Sequence, residues 1–147
     1  MKPLEIYLTA PCLWITEFSK YFDHNNLSGS IINITRLVAE LAFLDNLPCI
    51  SSKGSLKQIT KASALKLDSI GVTGSNVGPE YIQTKFNSGS LSNPKVCLKR
   101  SKRFMLNRWR LASKVADAVS FLASGQARFI INQNIYFDGG WLARGIN

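Results

Sequence analysis

Leu47-Pro48-Cys49-Ile50-Ser51-Ser52-Lys53-Gly54-Ser55-Leu56 begins a long helix that lies between two short apolar runs. From Leu47 to Leu67 the apolar residues Leu56, Ile59, Ala62, Ala64, Leu65 and Leu67 give one face at helical spacing. Asp68-Ser69 and then Gly71 end that helix. Upstream, Ser30 to Ile34 is a short apolar run that closes in polar residues, the pattern of a buried parallel strand. Downstream, Gly71 to Val77 reads as a second strand, closed by Gly78-Pro79.

Leu4 to Phe22 is predicted to be a helix on the spacing of Leu8, Leu13, Ile15, Phe18 and Phe22, with Pro11 imposing a kink or a later start. Asp23 to Gly29 is a turn, and Thr35 to Asp45 a loop with one apolar patch. Glu80 to Arg110 is a polar excursion with short helices. Leu111 to Ser124 reads as an amphipathic helix that turns Val115, Ala118, Val119, Phe121 and Leu122 inward. Asn134 to Phe137 is a third strand, and Asp138-Gly139-Gly140 is a tight turn after it rather than a cation site. Strands alternating with helices imply an α/β fold with parallel strands, in one domain over residues 1–147.

The chain is 46% hydrophobic with a mean hydropathy of +0.02, enough for a real core. Its apolar runs are interrupted by polar residues, so no membrane span is expected. Residues 1–5 lack the basic start and apolar stretch of a secretory signal. Cys12, Cys49 and Cys97 lie far apart and suggest neither a disulfide framework nor a metal site, which fits a reducing cytoplasm.

Net charge is +9 and uneven. Lys95, Lys99, Arg100, Lys102, Arg103, Arg108 and Arg110 fall in a stretch with no acid, leaving the remainder at +2. Such a run either holds an anion (phosphate, a sugar acid, an acyl-carrier surface, nucleic acid) or is a solvated basic face. Phe104 and Trp109 within it do not form a stacking pattern in the sequence.

Four segments, from Ile6 to the end, resemble the short-chain dehydrogenase/reductase family in order and spacing. Gly29-Ser30-Ile31-Ile32-Asn33-Ile34 resembles the strand leading to its catalytic serine, and Ser52-Lys53-Gly54-Ser55-Leu56 with Thr60-Lys61-Ala62 resembles its catalytic helix. Gly78-Pro79-Glu80-Tyr81-Ile82-Gln83-Thr84 resembles its Pro-Gly-Tyr-Ile-x-Thr cofactor loop. Arg108-Trp109, residues 115–124 and Asp138-Gly139-Gly140-Trp141 resemble its final third. The tail through Arg144 is most similar to 2-deoxygluconate and 2-dehydro-3-deoxygluconate dehydrogenases. The resemblance implies the C-terminal half of a doubly wound Rossmann-type parallel sheet, about three parallel strands with flanking helices. It implies NAD or NADP as cofactor, an alcohol or carbonyl substrate with a sugar acid as one option, and Lys53, Pro79, Ile82 and Thr84 as cofactor contacts.

Two departures are set against this likeness. No glycine-rich phosphate turn occurs, so the adenosine half of the cofactor site is expected to lie outside this sequence. In the reaction centre the resemblance puts the catalytic lysine at Lys53, but the tyrosine position is Cys49, the serine position Arg36 and the asparagine position Tyr7. The glycine after the loop proline is Glu80. A cysteine sulfur falls several ångströms short of a phenol oxygen, whereas proton transfer needs roughly 2.6–3.2 Å. Arg36 is permanently charged and cannot act as serine does, although it could hold an anionic group. No family turnover is therefore expected from this chain alone.

Cys49 is open to two readings: a nucleophile activated by Lys53 and a helix N-terminus, or a small residue filling a former tyrosine site. His24 stands in a turn with no partner for a triad or metal site, and Asn132 tolerates a left-handed backbone. The strand Ser30–Ile34 is expected to leave an exposed sheet edge. Self-association is expected through the helices 4–22 and 47–67, as the resemblance implies. A second functional class stays beside the first: a module holding an anionic partner through residues 95–110 and Arg36.

Overall fold

The computed structural model describes residues 2–44 and 46–144. Helix α1 (Ala10–His24) leads into strand β1 (Gly29–Ile34), then helix α2 (Leu47–Leu67) and strand β2 (Val72–Pro79). Beyond it come strand β3 (Ile82–Gln83), helix α3 (Pro94–Ser101), strand β4 (Arg110–Leu111), helix α4 (Ala112–Ala123) and strand β5 (Asn134–Phe137). The main sheet is parallel in the order β1-β2-β5, and β3 pairs with β4 in a separate parallel ribbon. The α/β architecture with about three parallel strands expected from the sequence is present.

Ahead of α1, residues Glu5–Thr9 form a π-helical turn instead of a kink. Pro11 has no N–H to donate, and its ring crowds the carbonyl four residues back, so the preceding turn widens to accommodate it. α2 packs on one face of the sheet through a narrow seam of Ser52, Leu56, Thr60, Ala64 and Leu67. That seam runs mainly at four-residue steps, so Ala62 and Leu65, expected inward, point outward, with Leu65 83% exposed. Gly71, at φ +69, lets the chain turn from α2 into β2.

On the opposite face α4 presents Ala118 and Leu122 to Val77 and Ala127, with Ile32, Val115, Val119, Ile135 and Phe137 around them. Phe121, expected to join this core, is exposed because it sits one step off the buried stripe. Within Thr35 to Asp45, where the sequence predicts a loop, Leu37–Ala39 forms a short helical turn that buries Leu37 and Val38. Asp45 itself lies outside the described residues. His24 closes α1 rather than standing in the turn beyond it. Asn132 is left-handed at φ 55, as its residue type suggests.

An asparagine ladder crosses the sheet. Asn33, Asn76 and Asn134 stand in register on β1, β2 and β5. Asn76 Nδ2 donates to Asn134 Oδ1 at 2.9 Å, and Asn33 Nδ2 donates to Thr60 Oγ1 at 2.8 Å. Thr60 Oγ1 in turn stands 2.8 Å from Asn76 Oδ1. Asn76 is fully buried, so a slipped register is opposed because a shift would leave its amide unpaired. Among the described residues no helix is long and apolar enough to cross a membrane.

Candidate functional site

The sheet brings the C-terminal ends of β1 and β2 beside the first turn of α2, the usual place for a ligand site in an open parallel sheet. Arg36 leaves the end of β1 with extended backbone, and Glu80 follows directly on β2. Their side chains meet as a bidentate pair: Arg36 Nε donates to Glu80 Oε2 at 2.9 Å and Arg36 Nη2 to Glu80 Oε1 at 2.7 Å. The Glu80 side chain is fully buried, while that of Arg36 keeps 33% of its surface. Burial alone would lower the guanidinium pKa, but the hydrogen bonds and charge of Glu80 outweigh it and hold Arg36 above its ordinary value. The third arm, Arg36 Nη1, lies 3.8 Å from Cys49 Sγ.

Arg36, which the sequence offers as a holder of an anionic group, is paired here with a carboxylate of the same chain. A planar guanidinium matches a carboxylate through two parallel hydrogen bonds, and the buried carboxylate needs that partner. Each of these residues looks like an isolated departure in the sequence. Together they are complementary, one a gained cation and the other a gained anion, and that opposite sign is the one signal in the sequence that could have indicated a contact.

Lys53, one turn beyond Cys49, donates to the Ile34 carbonyl at 2.6 Å, and its ammonium stands 5.2 Å from the Tyr7 ring centroid. Burial lowers the Lys53 pKa below its ordinary value; Arg36 acts in the same direction and Cys49 opposes it. The four positions Tyr7, Arg36, Cys49 and Lys53 therefore do converge, but around one another. Arg36 is bound to Glu80, and Lys53 is bound to backbone.

Pro79 ends β2, Ile82 is half-buried in β3, and Thr84 is exposed just beyond it. Between them Tyr81 takes φ +46, an unfavourable backbone for a bulky residue. An aromatic cluster holds it there. Its ring lies 5.7 Å from Phe104, 5.2 Å from Trp109 and 5.6 Å from Trp141. Phe104 and Trp109, which form no stacking pattern along the sequence, are 2% and 5% exposed in this cluster. Their ring partners come from other segments, so local spacing did not reveal it. Arg100 stands over the Tyr81 ring and Arg103 over Trp141, each at 5.1 Å. Those two cations of the basic stretch brace the cluster, whereas Lys95, Lys99, Lys102 and Arg108 are exposed and form no ion pair among the described residues.

A second network was missed altogether. Tyr136 Oη donates to Glu40 Oε1 at 2.5 Å, and Lys57 pairs with the same oxygen. The Tyr136 ring lies over Gly78 so closely that a Cβ there would come within 2.4 Å of it. Burial raises the Tyr136 pKa, and its bond to the Glu40 carboxylate raises it further. A folded pKa above the unfolded value near 10 means the contribution is complete below about pH 10 and is lost as pH rises toward the folded pKa. An ultraviolet phenolate titration is therefore expected to show a late step above the ordinary tyrosine range. Tyr136→Phe should remove that late step; its persistence would show that another tyrosine is responsible.

Among the described residues no group of three His, Cys, Asp or Glu side chains could hold a metal ion. Asp138 accepts from the amides of Gly140 at 2.9 Å and Leu142 at 2.7 Å, the tight turn expected there.

Residues 2–142 match the family model described as enoyl-(acyl carrier protein) reductase. The chain is 26% identical over 140 residues to glucose 1-dehydrogenase of Gluconobacter oxydans, covering 93% of this chain and 52% of that protein. A structure from Agrobacterium tumefaciens assigned as a gluconate dehydrogenase is 28% identical, with a TM-score of 0.87 over 92% of this chain and 53% of that one. 4-Hydroxyisoleucine dehydrogenase complexed with NADH is 26% identical, with a TM-score of 0.93 over 95% of this chain and 58% of that one. The chain spans about half the length of the curated relatives it matches.

Proposed function

The chain belongs to the short-chain dehydrogenase/reductase family, and on that footing we propose that it is a non-catalytic member whose former reaction centre has become a structural ion pair. NAD(P)-dependent oxidoreductase chemistry is its ancestry. Similarity to glucose and gluconate dehydrogenases supports an ancestral substrate of the sugar or sugar-acid class. The observation that carries the reading is the bidentate Arg36–Glu80 pair with Cys49 against it. Two positions that the family resemblance assigns to proton transfer and carbonyl polarisation hold a guanidinium and a short thiol, and the guanidinium is fastened to a buried carboxylate. Loss of acid/base catalysis alone lowers rates by about 10²–10⁴.

The residues present do not suit a nicotinamide cofactor. Pro79, Ile82 and Thr84 keep the family's residue types. Yet Lys53 is drawn onto the Ile34 carbonyl, and the Arg36–Glu80 pair stands where the resemblance gives a small serine and a glycine.

Four exposed cations without an ion pair among the described residues, Lys95, Lys99, Lys102 and Arg108, favour a second reading, a surface for an anionic partner. One set of titrations separates the two. NADH and NADPH are expected to give no saturable fluorescence response, and either oxidised cofactor with glucose or gluconate no nicotinamide absorbance change. A heparin titration at two salt concentrations tests the basic surface: binding that weakens steeply with salt supports the second reading. Saturable nicotinamide turnover would overturn the first.

A further inference from the structure

We propose that the outward face of α3, with the turn that follows it, docks on an anionic lipid surface. This rests on the reading of the basic stretch as a surface for an anionic partner, and it names that partner. The helix is set by its own sequence: Asn93 Oδ1 accepts from the amides of Lys95 at 3.1 Å and Val96 at 3.2 Å, and Pro94 opens the first turn. Positions 95, 98, 99 and 102 recur at steps of three and four, so Lys95, Leu98, Lys99 and Lys102 share one side. All four are exposed, Leu98 at 57%.

The opposite side of the helix is held by the protein. Trp109 Nε1 and Ser101 Oγ both donate to the Cys97 carbonyl, at 3.4 and 2.8 Å, and Arg100 lies over the Tyr81 ring. Past the helix, Met105 and Leu106 are 58% and 49% exposed, close in sequence to exposed Arg108. On the turn Lys85–Asn87 both Lys85 and Phe86 are exposed as well. Solvation accounts for the cations of such a face but not for the large apolar side chains among them.

Charge and side-chain type identify the occupant. The stretch 95–110 carries seven cations and no acid, so its partner is anionic. Nucleic acids are gripped by arginine forks and stacking rings. Here Arg100 and Arg103 are held over Tyr81 and Trp141, and Phe104 and Trp109 are buried. What faces outward from α3 is lysine on either side of a leucine. Lysine stems lie along apolar surface while their ammonium groups stay at the headgroups. A face of this kind settles in the plane of an anionic leaflet, its apolar side chains among the acyl chains and its cations against lipid phosphates. The contact lies on the membrane without crossing it: among the described residues no helix is long and apolar enough to span.

The test sediments the full chain with vesicles of phosphatidylcholine alone and of equal parts phosphatidylcholine and phosphatidylglycerol, beside titrations with heparin and duplex DNA. Binding is expected to the anionic vesicles only. Each basic residue near an anionic leaflet strengthens partitioning about fivefold, so Lys95→Gln, Lys99→Gln and Lys102→Gln together should weaken it about a hundredfold. Leu98→Gln keeps every charge; it should weaken vesicle binding about tenfold and leave heparin binding unchanged. All four positions are exposed, so the melting of the chain should not move. Salt-sensitive heparin binding without vesicle binding overturns this inference and leaves the anionic-partner reading standing; binding to neither overturns both. Tighter binding to duplex DNA than to the anionic vesicles also overturns it, as does vesicle binding indifferent to Leu98→Gln or to the three lysine substitutions.

Discussion

Arg36→Ser, the residue type that the family resemblance gives for this position, is expected to destabilise this chain by about 3–5 kcal/mol. The carboxylate of Glu80 is fully buried, and the substitution takes away the donor that satisfies both of its oxygens. Glu80→Gly should cost less, because the Arg36 guanidinium retains a third of its surface for water. The double variant should recover most of the loss, since neither charge is then left unpaired. Urea unfolding of the three variants measures this directly. Additive single effects would mean that the two residues are independent. Total stabilities of small domains are about 5–15 kcal/mol, so the first variant approaches the limit of folding.

Phe104→Ala is the second large effect, about 3–5 kcal/mol. Phe104 is 2% exposed, meets the rings of Tyr81 and Trp141 edge-on, and lies against Gly139. Its removal leaves a cavity and frees Tyr81 to leave its left-handed backbone, so the near-ultraviolet circular dichroism of the cluster should fall as well. Phe86→Ala is the matched control: Phe86 is 93% exposed, and a change within about 0.5 kcal/mol is expected. Equal effects at the two positions would contradict the cluster as a packing centre.

These residues also show what the sequence could and could not convey. The bounds of α2 and β5 were legible because proline, glycine and aspartate punctuate them: Leu47-Pro48 opens one, Asp68 to Gly71 closes it, and Asp138-Gly139-Gly140 follows the other. The parallel order of strands was legible from their alternation with helices. Which apolar residues of α2 face inward was legible only in part, since a seam as narrow as Leu56, Thr60 and Ala64 leaves Leu65 outside despite its hydrophobicity. Contacts between distant segments were not legible. Tyr81, Phe104, Trp109 and Trp141 come from separate places and meet only when the loops fold over the end of the sheet. The asparagine ladder depends on register, which no local pattern encodes. The candidate site was half legible. The departures at Arg36, Cys49 and Glu80 could be named one by one, but their mutual pairing needed the strand ends brought side by side.

The central proposal is that Arg36, Cys49 and Glu80 are incompatible with the family's chemistry. Its most direct test places the same three residues in a full-length relative. Gluconobacter oxydans glucose 1-dehydrogenase would carry arginine, cysteine and glutamate at the positions matching Arg36, Cys49 and Glu80, and its kcat would be followed by nicotinamide absorbance. The account predicts a folded protein whose kcat falls by at least about 10²–10⁴; a kcat within tenfold of the unmodified enzyme would contradict it.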